Sequence, residues 1–133
     1  MNMLNEIRQR LPIIRQEDAK YFVRCDEIGL NQIVQRGEST QARHLAWNEA
    51  TQVFAYKRDC FAFDQICIVI GTATHTDAIE VREDDEGFQY LIEQMPSRIV
   101  GCLPSNEWWD RVALPPFAAR WTQIYPDSGK MKV

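Results

Sequence analysis

The sequence holds no long hydrophobic run. Its most apolar stretch, Gln65 to Gly71 (QICIVIG), falls far short of the roughly 20 residues that a membrane-spanning helix requires. The opening residues MNMLNEIRQRLPIIRQ lack the apolar core of a secretory signal, so a cytoplasmic protein with no membrane partner is expected. There is no basic run either. The 15 Lys and Arg stand against 19 Asp and Glu, a formal charge of −4, and a nucleic-acid partner, which demands phosphate neutralisation, is not expected. Glycine and proline are scarce, at 6 each in 133 residues, which excludes fibrous and low-complexity classes. The four cysteines, Cys25, Cys60, Cys67 and Cys102, include no CxxC pair, and neither His44 nor His75 lies near one of them in sequence, so no metal is expected. Cys67 sits inside an apolar pattern and Cys102 lies between Gly101 and Leu103, where free cysteine behaves as a small hydrophobe. No native disulfide is expected in the absence of a secretory signal. GxSxG, HExxH and P-loop patterns are missing, and nothing implies a cofactor.

What remains is 45% hydrophobic and 26% charged, the profile of one soluble globular domain. A chain of this length buries about two thirds of the surface its unfolded form exposes, enough for a core without staples. The domain is expected over residues 1–126, with residues 127–133 as a frayed tail.

Near the start, Leu4, Ile7, Leu11 and Ile14 have helical spacing, interrupted by Pro12. Either a short helix ends near Leu11 or Pro12 opens a second one, and the sequence leaves both open. Tyr21 to Cys25 and Leu30 to Gln35 predict a hairpin turning at Asp26 to Gly29. Arg36 to Arg43 (RGESTQAR) is polar and contains a glycine, so it reads as a solvated loop. Thr51 to Lys57 and Gln65 to Ile70 read as strands, the second apolar on both faces as in a sheet centre. Ala78 to Arg82 alternates, with Ile79 and Val81 toward the core and Glu80 and Arg82 toward solvent. Phe88, Leu91, Ile92 and Met95 form an i, i+3, i+4, i+7 stripe, so a helix is expected over Asp85 to Gln94, closed by Pro96. Ser105 is a candidate cap for a short helix over Asn106 to Ala113, and a final strand is expected around Phe117 to Tyr125.

These elements predict an α+β fold: a bent, mainly antiparallel sheet of about five or six strands with a packed helix at about 85–95 and a short C-terminal helix. Phe54, Ile66, Ile68, Val81, Phe88, Leu91, Ile92 and Met95 are expected in its core.

Four groups of residues carry chemical interest. Glu83, Asp84, Asp85 and Glu86 form an acidic run that favours the start of the following helix, and its spacing is not that of a calcium loop. His75 and Asp77 are the nearest thing to an acid–base pair, with no evident nucleophile beside them. Trp108, Trp109, Arg111, Phe117 and Trp121 form the densest aromatic group. If Trp109 packs inward with Val112, Trp108 sits near the surface beside Arg111, and Trp and Arg dominate protein interfaces. The simpler alternative places both tryptophans in the core. Lys57-Arg58, followed by Asp59, reads as mutually neutralised charge on a sheet edge.

The run from Trp47 to Met95 resembles the second half of small bacterial pleckstrin-homology-like domains. There a tryptophan opens a short turn before a strand (Trp47-Asn48-Glu49-Ala50, then Val53-Phe54-Ala55), and a closing helix begins at a glycine–aromatic pair, here Gly87-Phe88. The stretches KRDCFAFDQICIVI and WWDRVALPPFAARWTQIY also resemble small bacterial proteins of no assigned activity. The resemblance implies a binding or scaffolding module rather than an enzyme.

Three functions are therefore carried forward. The first is a non-enzymatic protein-binding module using Trp108, Arg111 and Trp121. The second is an acidic inhibitor or immunity-type protein that presents Glu83 to Glu86 to a basic toxin or nuclease. The third is a small enzyme using His75 and Asp77. An edge strand or the Trp108 face can equally support a homodimer.

Overall fold

The computed structural model describes residues 18–60, 63–74, 77–114 and 121–126. Seven strands, two helices and one 3-10 turn are described: β1 (Lys20–Cys25), β2 (Gly29–Arg36), β3 (Ser39–Ala46), the turn Trp47–Glu49, β4 (Gln52–Asp59), β5 (Asp64–Gly71), β6 (Ile79–Arg82), α1 (Phe88–Arg98), α2 (Ser105–Ala113) and β7 (Trp121–Tyr125). The α+β class is as expected. The strands form two antiparallel sheets, one ordered β1-β2-β3 and the other β6-β5-β4-β7, rather than one sheet of five or six. The N-terminal helical reading, His75, Phe117 and the tail at 127–133 lie outside the described residues.

β3 is the element that the polar composition concealed. Ser39 to His44 are all exposed, so no apolar alternation marks the strand. It forms because Gly37, at φ 59°, turns the chain tightly enough for β3 to pair with β2 along its whole length, from Arg36 opposite Ser39 to Gly29 opposite Ala46. At the far end of this ladder Gly29 has no room for a side chain, because a Cβ there would collide with the Leu45 carbonyl.

One apolar core joins both sheets and both helices. Val23, Leu30 and Leu45 from the first sheet meet Val53, Ile66, Ile68, Ile70, Ile79 and Val81 from the second, together with Phe88, Leu91, Ile92 and Met95 of α1 and Trp108 and Val112 of α2. The opposite face of the second sheet carries a smaller cluster, Phe54, Tyr56, Cys67 and Val69, with Trp121 stacked on Tyr56 at 4.4 Å. All eight expected core residues are buried. β6, however, is buried on both faces rather than alternating with solvent, and Glu80 is only 1% exposed. Its carboxylate accepts from the Tyr56 hydroxyl at 2.6 Å and from Arg82 Nε at 3.1 Å, which meets the cost of burying a charge. The same network raises the Tyr56 phenol far above its ordinary range, through burial first and through Cys67 and Glu80 beside it.

The basic pair also lies elsewhere than expected. β4 is a central strand, between β5 and β7, and Lys57 is 4% exposed. Its ammonium donates to the carbonyl of Ala113 at the end of α2, at 2.9 Å, and pairs with Asp64 at 3.4 Å. A cation at a helix C-terminus is where the helix dipole favours it.

The acidic run is a turn rather than the first turn of the helix. Asp85 accepts from the backbone N–H of Arg82, and Glu83 from that of Ile66. α1 starts only at Phe88, behind Gly87 at φ 94°, where a Cβ would meet the Val23 carbonyl. The Val23 N–H donates to the Glu86 carbonyl at 2.8 Å, so this turn ties the two sheets together. The helix then runs through Pro96 to Arg98 instead of closing at the proline.

Candidate functional site

Two depressions flank the 3-10 turn Trp47–Glu49, one on either side. The turn is held by the Ala46 N–H, which donates to Glu49 Oε1 at 2.9 Å, and by the Trp47 indole, which donates to the Asp26 carbonyl at 2.8 Å. Trp47 is thereby fixed as a buried wedge between the β1–β2 turn and the end of α1.

The larger depression has a volume of about 360 Å³. Trp47 and Ala50 form one wall, Ile99 and Val100 follow α1 on another, and Tyr125 closes the end; Arg98 and Glu27 are the charged groups at its margin. Val100 is 89% exposed, the most exposed large apolar side chain among the described residues, and Ile28, next to Glu27 in sequence, is 68% exposed. Gly101, at φ 92°, turns the chain directly behind Val100 and keeps it at the surface. Arg98 is half-buried, and its Nε has no hydrogen-bond partner among the described residues. Its positive charge offsets the burial that raises the nearby Cys25 thiol and helps lower Asp26.

The smaller depression, about 220 Å³, lies between β3 and the β5–β6 connection. Arg43, His44, Glu49, Thr72 and Asp77 surround it, above the apolar side chains of Leu45 and Ile79. Asp77 belongs here, held by a hydrogen bond from Thr74 at 2.9 Å. His44 also borders this cavity, and His75 lies outside the described residues.

The expected tryptophan surface is not built as the sequence suggested. Trp108 is 0% exposed and packs in the main core, while its neighbour Trp109 is half-buried against it, at 5.6 Å between ring centroids. Trp108 therefore has no surface to offer a partner, because it shares the inward face of α2 with Val112, four residues on. Arg111 is exposed. Trp121 is half-buried on the other face of the second sheet, stacked on Tyr56, so it does not join Trp108 in one patch. Of the acidic residues, Glu83, Asp84 and Glu86 are exposed and Asp85 is half-buried.

Among the described residues no three His, Cys, Asp or Glu side chains converge as a metal site, and no helix is long and apolar enough to cross a membrane. The four cysteines are free thiols. No family model matches the chain, and comparisons with curated proteins and with solved structures gave no significant match.

Reading the sequence missed Arg98, Val100 and Tyr125 as neighbours of Trp47. The available signal was Val100-Gly101: an apolar side chain next to a glycine just past a helix, where a C-terminal turn exposes it.

Proposed function

We propose that the protein is a non-enzymatic binding module that holds a short apolar segment of another protein, bearing a carboxylate, in the depression lined by Trp47, Arg98, Val100 and Tyr125. The observation that carries this reading is the exposure of Val100, at 89%, on the rim of a cleft with aromatic walls. Exposed apolar groups beside a concavity mark interaction surfaces, and Trp, Tyr and Arg are the residues that dominate binding energy in them. Arg98 supplies the charge complementarity, since a guanidinium lining the cleft favours a carboxylate. The likeness to pleckstrin-homology-like domains points the same way, toward binding rather than catalysis. Two carboxylates of the acidic run, on Glu83 and Asp85, are engaged with backbone N–H groups, which leaves the inhibitor reading less support.

Selection of a phage-displayed random peptide library on the immobilised protein tests the proposal. The enriched peptides should combine an apolar or aromatic residue with a nearby acidic one. They should lose about tenfold or more in affinity with Val100→Glu and with Arg98→Gln. Arg111→Ala should bind them as the parent does. Peptides indifferent to Val100→Glu, or the absence of any enriched motif, would overturn the reading.

A further inference from the structure

The smaller depression brings together three charged side chains from three separate segments: Arg43 from β3, Glu49 from the 3-10 turn and Asp77 from the β5–β6 connection. His44 follows Arg43 on a regularly paired strand, so its ring points to the other face, beside Asn31. Each of the three is anchored through one atom. Arg43 donates one Nη to the Ala78 carbonyl at 3.1 Å, Glu49 Oε1 accepts from Ala46 N–H at 2.9 Å, and Asp77 Oδ2 accepts from Thr74 at 2.9 Å. No ion pair joins any two of the three. Each therefore keeps a second hydrogen-bonding position: the remaining guanidinium N–H groups of Arg43 and the second oxygen of each carboxylate.

We propose that this depression binds a small molecule that carries both a carboxylate and an ammonium group, of the α-amino-acid class. A simple anion would gain Arg43 but face Glu49 and Asp77, and a simple cation would meet the reverse conflict. Only a ligand of both signs satisfies all the walls at once. Its carboxylate takes the guanidinium of Arg43, and its ammonium takes Asp77 and Glu49. A cavity of about 220 Å³ suits a ligand of this size, below the roughly 300 Å³ at which sites for drug-sized ligands begin. The hydrogen bonds to Ala46, Thr74 and Ala78 hold the three groups in place before the ligand arrives, which lowers the ordering cost of binding.

Titration of the isotopically labelled protein with each proteinogenic amino acid, followed through backbone amide resonances, tests the site. At least one amino acid should give saturable shifts centred on Arg43, His44, Thr72 and Asp77 at roughly 10 mM or below. Its des-amino and decarboxylated analogues should each bind about tenfold more weakly or worse. Asp77→Asn, which preserves the hydrogen bond from Thr74 and hence the fold, should weaken binding by about the same factor, and Arg43→Gln likewise. No saturable shift with any amino acid, an analogue of single charge binding as well as its parent, or unaltered binding by Asp77→Asn would each overturn the proposal.

Discussion

Asp26 shows how one exposed carboxylate can organise a turn. Its Oδ1 accepts from the backbone N–H groups of Ile28 and Gly29, at 2.9 and 3.1 Å, and these bonds, that from Gly29 foremost, hold its pKa below the ordinary carboxylate value. The ionised form therefore favours the fold. Its contribution is complete above the unfolded carboxylate pKa of about 4 and is lost as pH falls through the lower folded value. The difference in thermal midpoint between the parent and Asp26→Ala should accordingly shrink as pH is taken from neutral into strong acid; a difference that grows would show that the bond does not act through the charge. Cys67 and Cys102 make a second prediction. Burial pushes both thiols up to about 12, aided in Cys67 by the neighbouring Glu80. At pH 8 roughly one thiol in 10⁴ is then ionised, so iodoacetamide should leave both unmodified in the native protein and label both in denaturant, as mass spectrometry of the peptides would report. Both residues were readable as small hydrophobes from their apolar neighbours. Trp108 follows the core alternative and not the surface one: it shares a helix face with Val112, four residues on, and i and i+4 lie closer together around a helix than i and i+3.

At the scale of elements, Lys57 joins three pieces of the fold. It stands on central strand β4, meets the last carbonyls of α2 at Ala113 and pairs with Asp64 at the start of β5. Substituting Lys57→Met keeps the apolar stem but abandons a largely buried carboxylate and a helix end together. We expect a loss of about 3 kcal/mol in unfolding free energy, measured by urea denaturation. A loss under about 1 kcal/mol would mean that solvent replaces the ammonium at both partners. In sequence this lysine looked like edge protection, because composition does not tell a central strand from an outer one. The assignment turns on β7, which pairs with β4 from the far end of the chain. β3 was overlooked for a related reason: its exposed polar face has no period of two to detect, and only pairing with β2 makes it a strand.

Across the whole molecule, the main core draws side chains from both sheets and both helices, and backbone hydrogen bonds such as Val23 to Glu86 cross between the sheets. The first sheet has no apolar cluster apart from this shared core, and the second would expose its share of it if the first left. Unfolding should therefore be a single cooperative transition, with far-ultraviolet circular dichroism and tryptophan fluorescence giving coincident curves. Two resolved transitions would show that the sheets melt independently. The two depressions belong to this scale as well. Each forms where segments distant in sequence meet around the turn Trp47–Glu49, and the cavity that holds Asp77 takes its arginine, Arg43, from β3, more than thirty residues away.

The sequence alone determined the α+β class, the six strands or strand-like runs with apolar character, the α1 stripe and the eight core residues named from it. These follow from local periodicity, which depends only on neighbours along the chain. The division into two sheets, the burial of Lys57 and Glu80, the pairing of the polar strand β3 and the residues lining both depressions were decided only by tertiary structure. Each depends on which distant segment lies opposite, and a charged or polar side chain keeps the same local pattern whether it meets water or a partner brought to it by the fold.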